Sequence, residues 1–401
     1  MLIREILRKR ADLAQLVIED AIPSADARLI SYLDAALAQV LYVNPDEARR
    51  YARRFLDSGN AGFQRAVGRA FSHPPMPEGT LASADAEIIQ RVLSSSDPDV
   101  VFNGLGVLST LAQKNWRIAI DLLRHANLSL DARLADRAFM MLHGLQQDIL
   151  AALDEDDVRY LLSELKPLPE LNGHWVETLL SYFSLHFPEL TASFFLTRVE
   201  QATASEEAFS RFRPINYGPW VHVPLRFKES PRYSAVLQSV WEWITARNTS
   251  DWRFEHHASA LFEGMFLPID DVVLSFLTAK MTTAEPHALR WIASVLSHAD
   301  SNFVFDQHRM VVSFLDLCDR AGESVRRKAV GALFRSAISG VHGGAVGEPW
   351  PRDIKFRNES QTLMARLPRL SAAYELYEIL RAHADQSIVW ARKDAEALDD
   401  A

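Results

Sequence analysis

The sequence predicts an all-α protein, folded as a curved and elongated α-solenoid of antiparallel helix pairs, and three observations support this. Apolar residues follow helical spacing over most of the 401 residues, as at Ile88, Ile89 and Val92. Tight turns such as the one at Asp97-Pro98 separate many of these apolar stretches. A pattern of large apolar and small residues also recurs after 34 residues, a spacing typical of stacked helix pairs.

The stretch from Ala84 to Asn127 is predicted to form three helices joined by two tight turns. Asp97 can cap the second helix, and Pro98 occupies its first position, where a missing N–H costs nothing. Gly104 lies inside this second helix, where glycine costs about 1 kcal/mol relative to alanine. We therefore expect a partner helix to pack closely over Gly104.

The recurring pattern has a small or medium residue between two large apolar residues, each four positions away. It occurs at Val100, Gly104 and Leu108; at Leu134, Ala138 and Leu142; at Phe254, Ala258 and Phe262; and at Val325, Ala329 and Leu333. DPDVVFNGLGVL resembles the second helix of HEAT repeats, which begins Asp-Pro-x-Val and continues with a small residue and Ala-Leu. Val101 stands where HEAT repeats usually carry an arginine, a place that Arg326 fills in the later copy. An irregular helical bundle is the alternative, because any amphipathic helix shows this spacing.

Four prolines interrupt the helical pattern between Ser205 and Ser234. The sequence thus predicts an N-terminal helical-repeat block (1–204), an aromatic and proline-rich connecting loop (205–234) and a C-terminal block (235–401). The loop is too apolar for a free linker, so we expect it to be ordered, either plugging a seam between the blocks or serving as a recognition loop. As a recognition loop, it would offer a partner Arg211, Arg213, Trp220, His222 and Arg226.

A basic stretch precedes the regular array. Its arginines at helical spacing are Arg49, Arg50, Arg53, Arg54, Arg65 and Arg69. They could grip a nucleic-acid backbone, or they could form a solvated face that pairs with Asp46 and Glu47. The formal net charge of −9 argues against bulk nucleic-acid binding but leaves room for a local basic patch.

The remaining composition indicates a cytoplasmic protein without membrane contact. Cys318 is the single cysteine, which excludes a disulfide within the chain and fits a reducing compartment. The first 20 residues form a charged amphipathic pattern rather than a signal peptide, and no apolar run reaches membrane-spanning length. We find no nucleophile elbow, no phosphate-binding loop and no histidines at metal-ligand spacing. The sequence therefore predicts a non-enzyme without metal or cofactor.

Residues 205–401 resemble the C-terminal part of large bacterial STAND-type NTPases and related defence proteins, notably in GPWVHVPLRFKESPRY and GVHGGAVGEPWPRDIKFRNES. In those proteins a helical-repeat region follows a nucleotide-binding domain. The resemblance implies a non-catalytic scaffold or sensor that binds a protein partner through the groove of its solenoid, in a bacterial defence or signalling system. The glycine-rich GVHGGAVGEPW lacks the lysine of a P-loop, so no nucleotide-binding residue carries over. The alternative function is nucleic-acid binding through the face from Arg49 to Arg69.

Overall fold

Helices form nearly all of the regular structure in the computed structural model, which describes residues 2–72, 83–144, 150–171, 173–215, 223–247, 251–339 and 348–399. These described ranges contain two short 3-10 turns, Leu128–Leu130 and Phe227–Glu229, and no β-strand. The prediction of an all-α protein is therefore confirmed. The chain divides into two compact units, Met1–Arg226 and Phe227–Ala401, and the division falls inside the segment 205–234.

The described helices of the first unit range in length from 4 to 26 residues. Among the described residues these are α1 (Leu2–Leu7), α2 (Ala11–Ser24), α3 (Ala27–Ile30), α4 (Leu33–Val43), α5 (Pro45–Asp57), α6 (Ala61–Ser72), α7 (Ser83–Leu93), α8 (Pro98–Leu123), α9 (Ala132–Gly144), α10 (Glu155–Leu165), α11 (His174–His186), α12 (Pro188–Thr203) and α13 (Glu206–Arg211). Asn44, Asp97 and Ser205 each accept a hydrogen bond from an N–H in the first turn of the next helix. Such caps satisfy donors that a helix start leaves without partners, and the cap predicted at Asp97 is confirmed.

The second unit is also helical, and aromatic side chains form part of its core. Its described helices are α14 (Tyr233–Thr245), α15 (Trp252–Phe266), α16 (Asp271–Met281), α17 (Pro286–Leu296), α18 (Phe303–Asp306), α19 (His308–Ala321), α20 (Glu323–Ile338), α21 (Pro351–Met364) and α22 (Ala372–Asp399). Phe314, Phe356 and Tyr377 are fully buried. The Tyr377 hydroxyl donates a hydrogen bond to the Val304 carbonyl at 2.8 Å, which satisfies a polar group that burial would otherwise penalise.

Contacts between helices follow a regular order along the chain. In the first unit, each helix of the series α2, α4, α6, α8, α9 and α11 contacts the next. The helices between them make a second set of contacts, α5 with α7 and α10 with α12. In the second unit, each helix of the series α15, α17, α20 and α22 likewise contacts the next. This order is expected where helix pairs stack side by side.

Polar side chains connect these neighbouring helices at a nearly constant separation in sequence. Arg53 with Glu87, Arg91 with Asp57, and Arg69 with Asn103 are each 34 residues apart. In the second unit, Arg290 donates a hydrogen bond to Ser324, again 34 residues away. The spacing that the apolar pattern shows in the sequence therefore recurs as the separation between residues in contact.

Two predicted boundaries are wrong for identifiable reasons. The second tight turn expected before Asn127 is absent, because α8 runs unbroken from Pro98 to Leu123. No glycine or proline lies between Leu111 and Arg117 to end a helix there. The glycine-rich and proline-rich sequence at 339–360 predicts a break in the helical pattern. This break ends early, because α21 begins at Pro351, and proline is well suited to the first position of a helix.

Three of the longer predicted helices are shorter or divided in the structure. The apolar spacing predicts one helix at 1–20, which the structure divides into α1 and α2, because Arg10 has an extended backbone with φ −129° and ψ 91°. It predicts a second helix at 24–42, which starts only at Ala27 and is divided into α3 and α4. It predicts a third helix at 303–320, which is divided at Gln307 into α18 and α19.

Gly104 lies where α6, α7 and α8 pack closely together. The sequence predicts one partner helix at this position, and the structure has two. A Cβ atom built on Gly104 would lie 2.7 Å from Cγ1 of Val92 and 3.2 Å from Cδ2 of Leu93, both in α7. On the side of α6, a Cβ atom on Gly68 would lie 3.2 Å from the backbone nitrogen of Gly104. The sequence analysis missed Gly68, whose absent side chain lets α6 approach the backbone of α8.

We predict that Gly104→Ala lowers the free energy of unfolding of the first unit by about 1–3 kcal/mol, because the added methyl group overpacks the crossing. Val92, which that methyl group would meet, is itself buried and cannot move into solvent. Urea denaturation followed by circular dichroism measures the change.

Gly331→Ala in α20 is the matched control, since a Cβ atom there would meet its nearest neighbour only at 3.7 Å. This variant should gain about 0.5–1 kcal/mol from the lower backbone entropy of alanine. Equal gains in both variants would show that α7 and α8 are not packed closely at Gly104.

Candidate partner-binding surfaces

Arg198, in α12, is the side chain that holds the start of the connecting segment. Its guanidinium is fully buried, and among the described residues no carboxylate pairs with it. Its hydrogen bonds there go to backbone carbonyl oxygens instead. Nε donates to Pro214 at 3.0 Å, Nη1 donates to Leu165, Lys166 and Leu168 at 3.1, 3.0 and 2.6 Å, and Nη2 donates to Pro169 and Arg213 at 3.4 and 2.8 Å.

These carbonyls belong to two stretches of backbone that meet at Arg198. The stretch 165–169 ends α10, whose last carbonyls have no partner within the helix. The stretch 213–214 follows α13. The N–H of Arg213 strengthens the junction by donating to the Pro169 carbonyl at 2.7 Å. A cation at the end of α10 also complements the helix dipole, so Arg198 both caps α10 and fixes the first residues after α13.

The charge of Arg198 survives its burial. Removal from water disfavours the charged form and lowers the pKa of the guanidinium to about 10. The group therefore remains protonated at neutral pH and keeps its five N–H donors. The rings of Phe194 and Phe212 lie beside it, with centroids 5.8 Å and 6.0 Å from Cζ, and favour a cation at this place.

Arg198 is not among the candidate residues predicted from sequence, although the sequence contains a signal for it. Thr191, Phe195 and Ala202 are buried along one stripe of α12, and Arg198 falls on the same stripe at helical spacing. An arginine on an apolar stripe must either leave the core or find acceptors inside it. Its acceptors here are carbonyls 15 to 33 residues away, and side-chain patterns do not reveal them.

The five residues predicted for partner binding fall into three groups. The side chains of Arg211 and Arg213 are exposed at the end of α13. Among the described residues, the guanidinium of Arg213 reaches only carbonyls at the end of α13, at 3.3–3.5 Å. Arg226 is partly buried, and its N–H donates to the Ser184 hydroxyl at 2.7 Å. Trp220 and His222 lie outside the described residues.

The last part of the connecting segment packs within the second unit. Phe227 is fully buried, with its ring centroid 6.5 Å from that of Phe266. Lys228 pairs with Asp270 at 3.3 Å. The expectation that this apolar segment is ordered therefore holds at Phe227, and residues 216–222, with Tyr217 and Trp220, lie outside the described part of the chain.

The basic stretch is held largely by acidic partners. Arg49 makes a two-pronged contact with Asp85, at 2.8 Å and 3.0 Å, and a further hydrogen bond to Asp46 at 2.8 Å. The hydrogen bonds to Asp85 raise the pKa of Arg49 despite the opposing effect of burial. Arg50 pairs with Glu47. The predicted pairing with Asp46 and Glu47 is therefore confirmed for these two arginines.

The rest of the basic stretch makes contacts with the next helix pair. Arg53 pairs with Glu87 at 3.1 Å, and Arg65 lies 3.5 Å from an oxygen of Asp99. Arg69 donates to the amide oxygen of Asn103 at 3.1 Å. Arg54 is exposed and makes no ion pair among the described residues. Most of these guanidinium groups are thus already engaged within the protein.

Other chemistry-bearing groups are few in the described part of the chain. Within it, no three histidine, cysteine or acidic side chains lie together in a way that could hold a metal ion. Cys318 is buried, and burial raises the pKa of its thiol to about 12, so it is an unreactive thiol at neutral pH. Among the same residues, no helix combines the length and apolar character needed to cross a bilayer.

We predict that Arg198→Met lowers the free energy of unfolding by at least about 3 kcal/mol, because methionine fills similar space but leaves several buried carbonyls without donors. Limited trypsin proteolysis should also cut faster after Arg211, since the junction with 165–169 is lost. Arg211→Ala is the control and should change stability by less than about 0.5 kcal/mol. An unchanged melting temperature and cleavage rate in Arg198→Met would contradict the role given to this residue.

No protein-family model matches this chain, and no curated protein matches it either.

Proposed function

We propose that this chain is a non-catalytic helical-repeat scaffold that binds a protein partner at the connecting segment. The observation that carries the proposal is the anchoring of residues 213–214 by the buried Arg198. Because this backbone is fixed, the exposed side chains of Arg211 and Arg213 stand on a rigid support. Arginine is enriched at the energetic centres of interfaces, and a preorganised surface loses less entropy on binding.

The repeat architecture in this proposal rests on two supports. Helices two places apart in the chain contact one another, and polar contacts recur at separations of 34 residues. Both are expected of an α-solenoid of antiparallel helix pairs. Such stacks offer long surfaces to partners, which fits a scaffold.

A sensor role extends the proposal. The resemblance of residues 205–401 to the helical-repeat regions of STAND-type NTPases and defence proteins supports it. In this role, partner binding would be communicated to a separate NTPase or effector in a bacterial defence or signalling system. The proposal gives this chain itself no catalytic step.

Nucleic-acid binding through the basic stretch is the alternative function, and the contacts of that stretch favour a protein partner instead. Arg49, Arg50 and Arg53 already pair with carboxylates of this chain. A phosphate backbone would have to displace those carboxylates, which would remain close by and repel it. The overall charge of −9 adds to this repulsion.

We predict that Arg211→Ala/Arg213→Ala reduces the amount of partner protein captured from a lysate of the source organism at least about tenfold, as measured by quantitative mass spectrometry. The two truncations leave the backbone contacts of Arg198 in place, so the fold should be retained. Circular dichroism verifies this.

Arg54→Ala/Arg159→Ala removes the same charge from exposed positions elsewhere in the first unit and should capture the partner normally. Equal capture by the two double variants would overturn the proposed site. Co-purification of nucleic acid that is lost on truncation of Arg54 and Arg65 would favour the alternative function.

A further inference from the structure

A second exposed surface lies where α6, α8 and α9 meet, and we call it the Phe102 surface; its residues are Arg69, Phe102, Gly106, Arg137 and Met140. Phe102, in α8, is 39% exposed, which is unusual for a large aromatic side chain. The guanidinium of Arg137, in α9, lies over its ring, with Cζ 5.6 Å from the ring centroid. An aromatic ring and an arginine are thus presented side by side.

Arg137 differs from the arginines around it because it has no acidic partner among the described residues. Its Nε is buried and has no hydrogen-bond acceptor there. Nη1 reaches only the sulfur of Met140, at 3.8 Å, and sulfur is a weak acceptor. The nearby Arg133, in contrast, pairs with Asp131 at 2.7 Å and lies 3.8 Å from Asp99. Arg137 therefore retains capacity to bind an acceptor from another molecule.

The backbone of α8 lies close to this guanidinium at Gly106. Gly106 lies one turn after Phe102, and a Cβ atom there would lie 3.8 Å from Nη2 of Arg137 and 3.1 Å from Cβ of Ser72. The missing side chain lets Ser72 of α6 and Arg137 of α9 both approach the backbone of α8. Arg69, on the α6 side, is held by the neutral Asn103 amide rather than by a carboxylate.

Two of the four arginines around this part of α8 have no carboxylate partner among the described residues. Arg65 lies near Asp97 and Asp99, and Arg133 lies near Asp99 and Asp131, whereas Arg69 and Arg137 make no such pair there. In a chain of net charge −9, such a patch attracts a negatively charged group to one place.

We propose that the Phe102 surface binds an acidic peptide segment of a partner protein. A glutamate or aspartate of the peptide accepts hydrogen bonds from Arg137 and Arg69, and a neighbouring apolar side chain packs on Phe102 and Met140. Arginine suits this task because its planar group binds a carboxylate through two parallel hydrogen bonds. The surface is separate from the one proposed at α13, and neither depends on the other.

A peptide is favoured over a nucleic acid by the size and occupancy of the patch. The guanidinium of Arg137 covers one face of the Phe102 ring. The edge of the ring is left for contact with a side chain, and that face is not available to a stacked base. The other arginines nearby lie against carboxylates, Arg65 near Asp99 and Arg133 on Asp131, which opposes their use along a phosphate backbone.

Selection from a phage-displayed random peptide library on the full chain tests the proposal. The enriched peptides should carry several acidic residues next to a large apolar one. A fluorescein-labelled enriched peptide, measured by fluorescence anisotropy, should lose at least about tenfold in affinity with Arg137→Gln and with Phe102→Ala.

Matched variants separate this surface from general electrostatics. Arg133→Gln removes the same charge close by but from a paired arginine, and it should change the affinity by less than about twofold. Arg211→Ala/Arg213→Ala should bind the peptide as the unaltered chain does, so failure of the site at α13 leaves this result unaffected. Melting temperatures show that each variant remains folded.

Three outcomes would overturn the proposal. The first is enrichment of peptides without acidic residues, or no enrichment at all. The second is an equal loss of affinity in Arg137→Gln and Arg133→Gln, which would indicate charge attraction without a defined site. The third is a labelled single-stranded oligonucleotide that binds more tightly than the peptide and requires Arg137, which would identify a nucleic-acid surface instead.

Discussion

The buried guanidinium of Arg198 is the interaction on which the arrangement of the first unit around the connecting segment depends. The end of α10 and the backbone after α13 both present carbonyl groups to the interior, and each needs a donor. A single arginine can supply five N–H groups, whereas water or a shorter side chain would satisfy fewer of them. The desolvation of the charge is offset because its donors are engaged, and removing Arg198 would leave both stretches without partners at once.

A related device recurs at the starts of other helices in the first unit. Asp157, in the first turn of α10, is completely buried and accepts hydrogen bonds from Arg117 and Arg124 at 2.6 Å and 2.8 Å. Asp85, in the first turn of α7, holds Arg49 in the same manner. In each case an acid near a helix N-terminus, where negative charge is favourable, anchors an arginine from an earlier helix. The stack is thus joined by specific ion pairs as well as by apolar packing.

Features of the fold that depend on local residue preferences were predictable from sequence. Most features that were missed depend on contacts between residues far apart in sequence. The cap at Asp97 and the close crossing at Gly104 follow from preferences that act within one or two turns. The unbroken α8 was missed because the polar residues that follow Leu111 are compatible with a helix and with a turn. Arg49 was a candidate for binding a ligand, yet its carboxylate partner Asp85 lies 36 residues away. Arg198 was missed for the same reason, since its acceptors are backbone atoms that no residue pattern records.

The ion pairs between α5 and α7 have a consequence for how helix pairs select their alignment. Arg53 of α5 meets Glu87 of α7, while one turn later Asp57 of α5 meets Arg91 of α7, so the order of charges is inverted. Sliding α7 by one turn in either direction would set Arg53 against Arg91, or Asp57 against Glu87. Exposed pairs of this kind add little stability each, but the like charges that a slip creates would penalise a one-turn displacement in either direction. These four side chains therefore favour one register of α7 against α5.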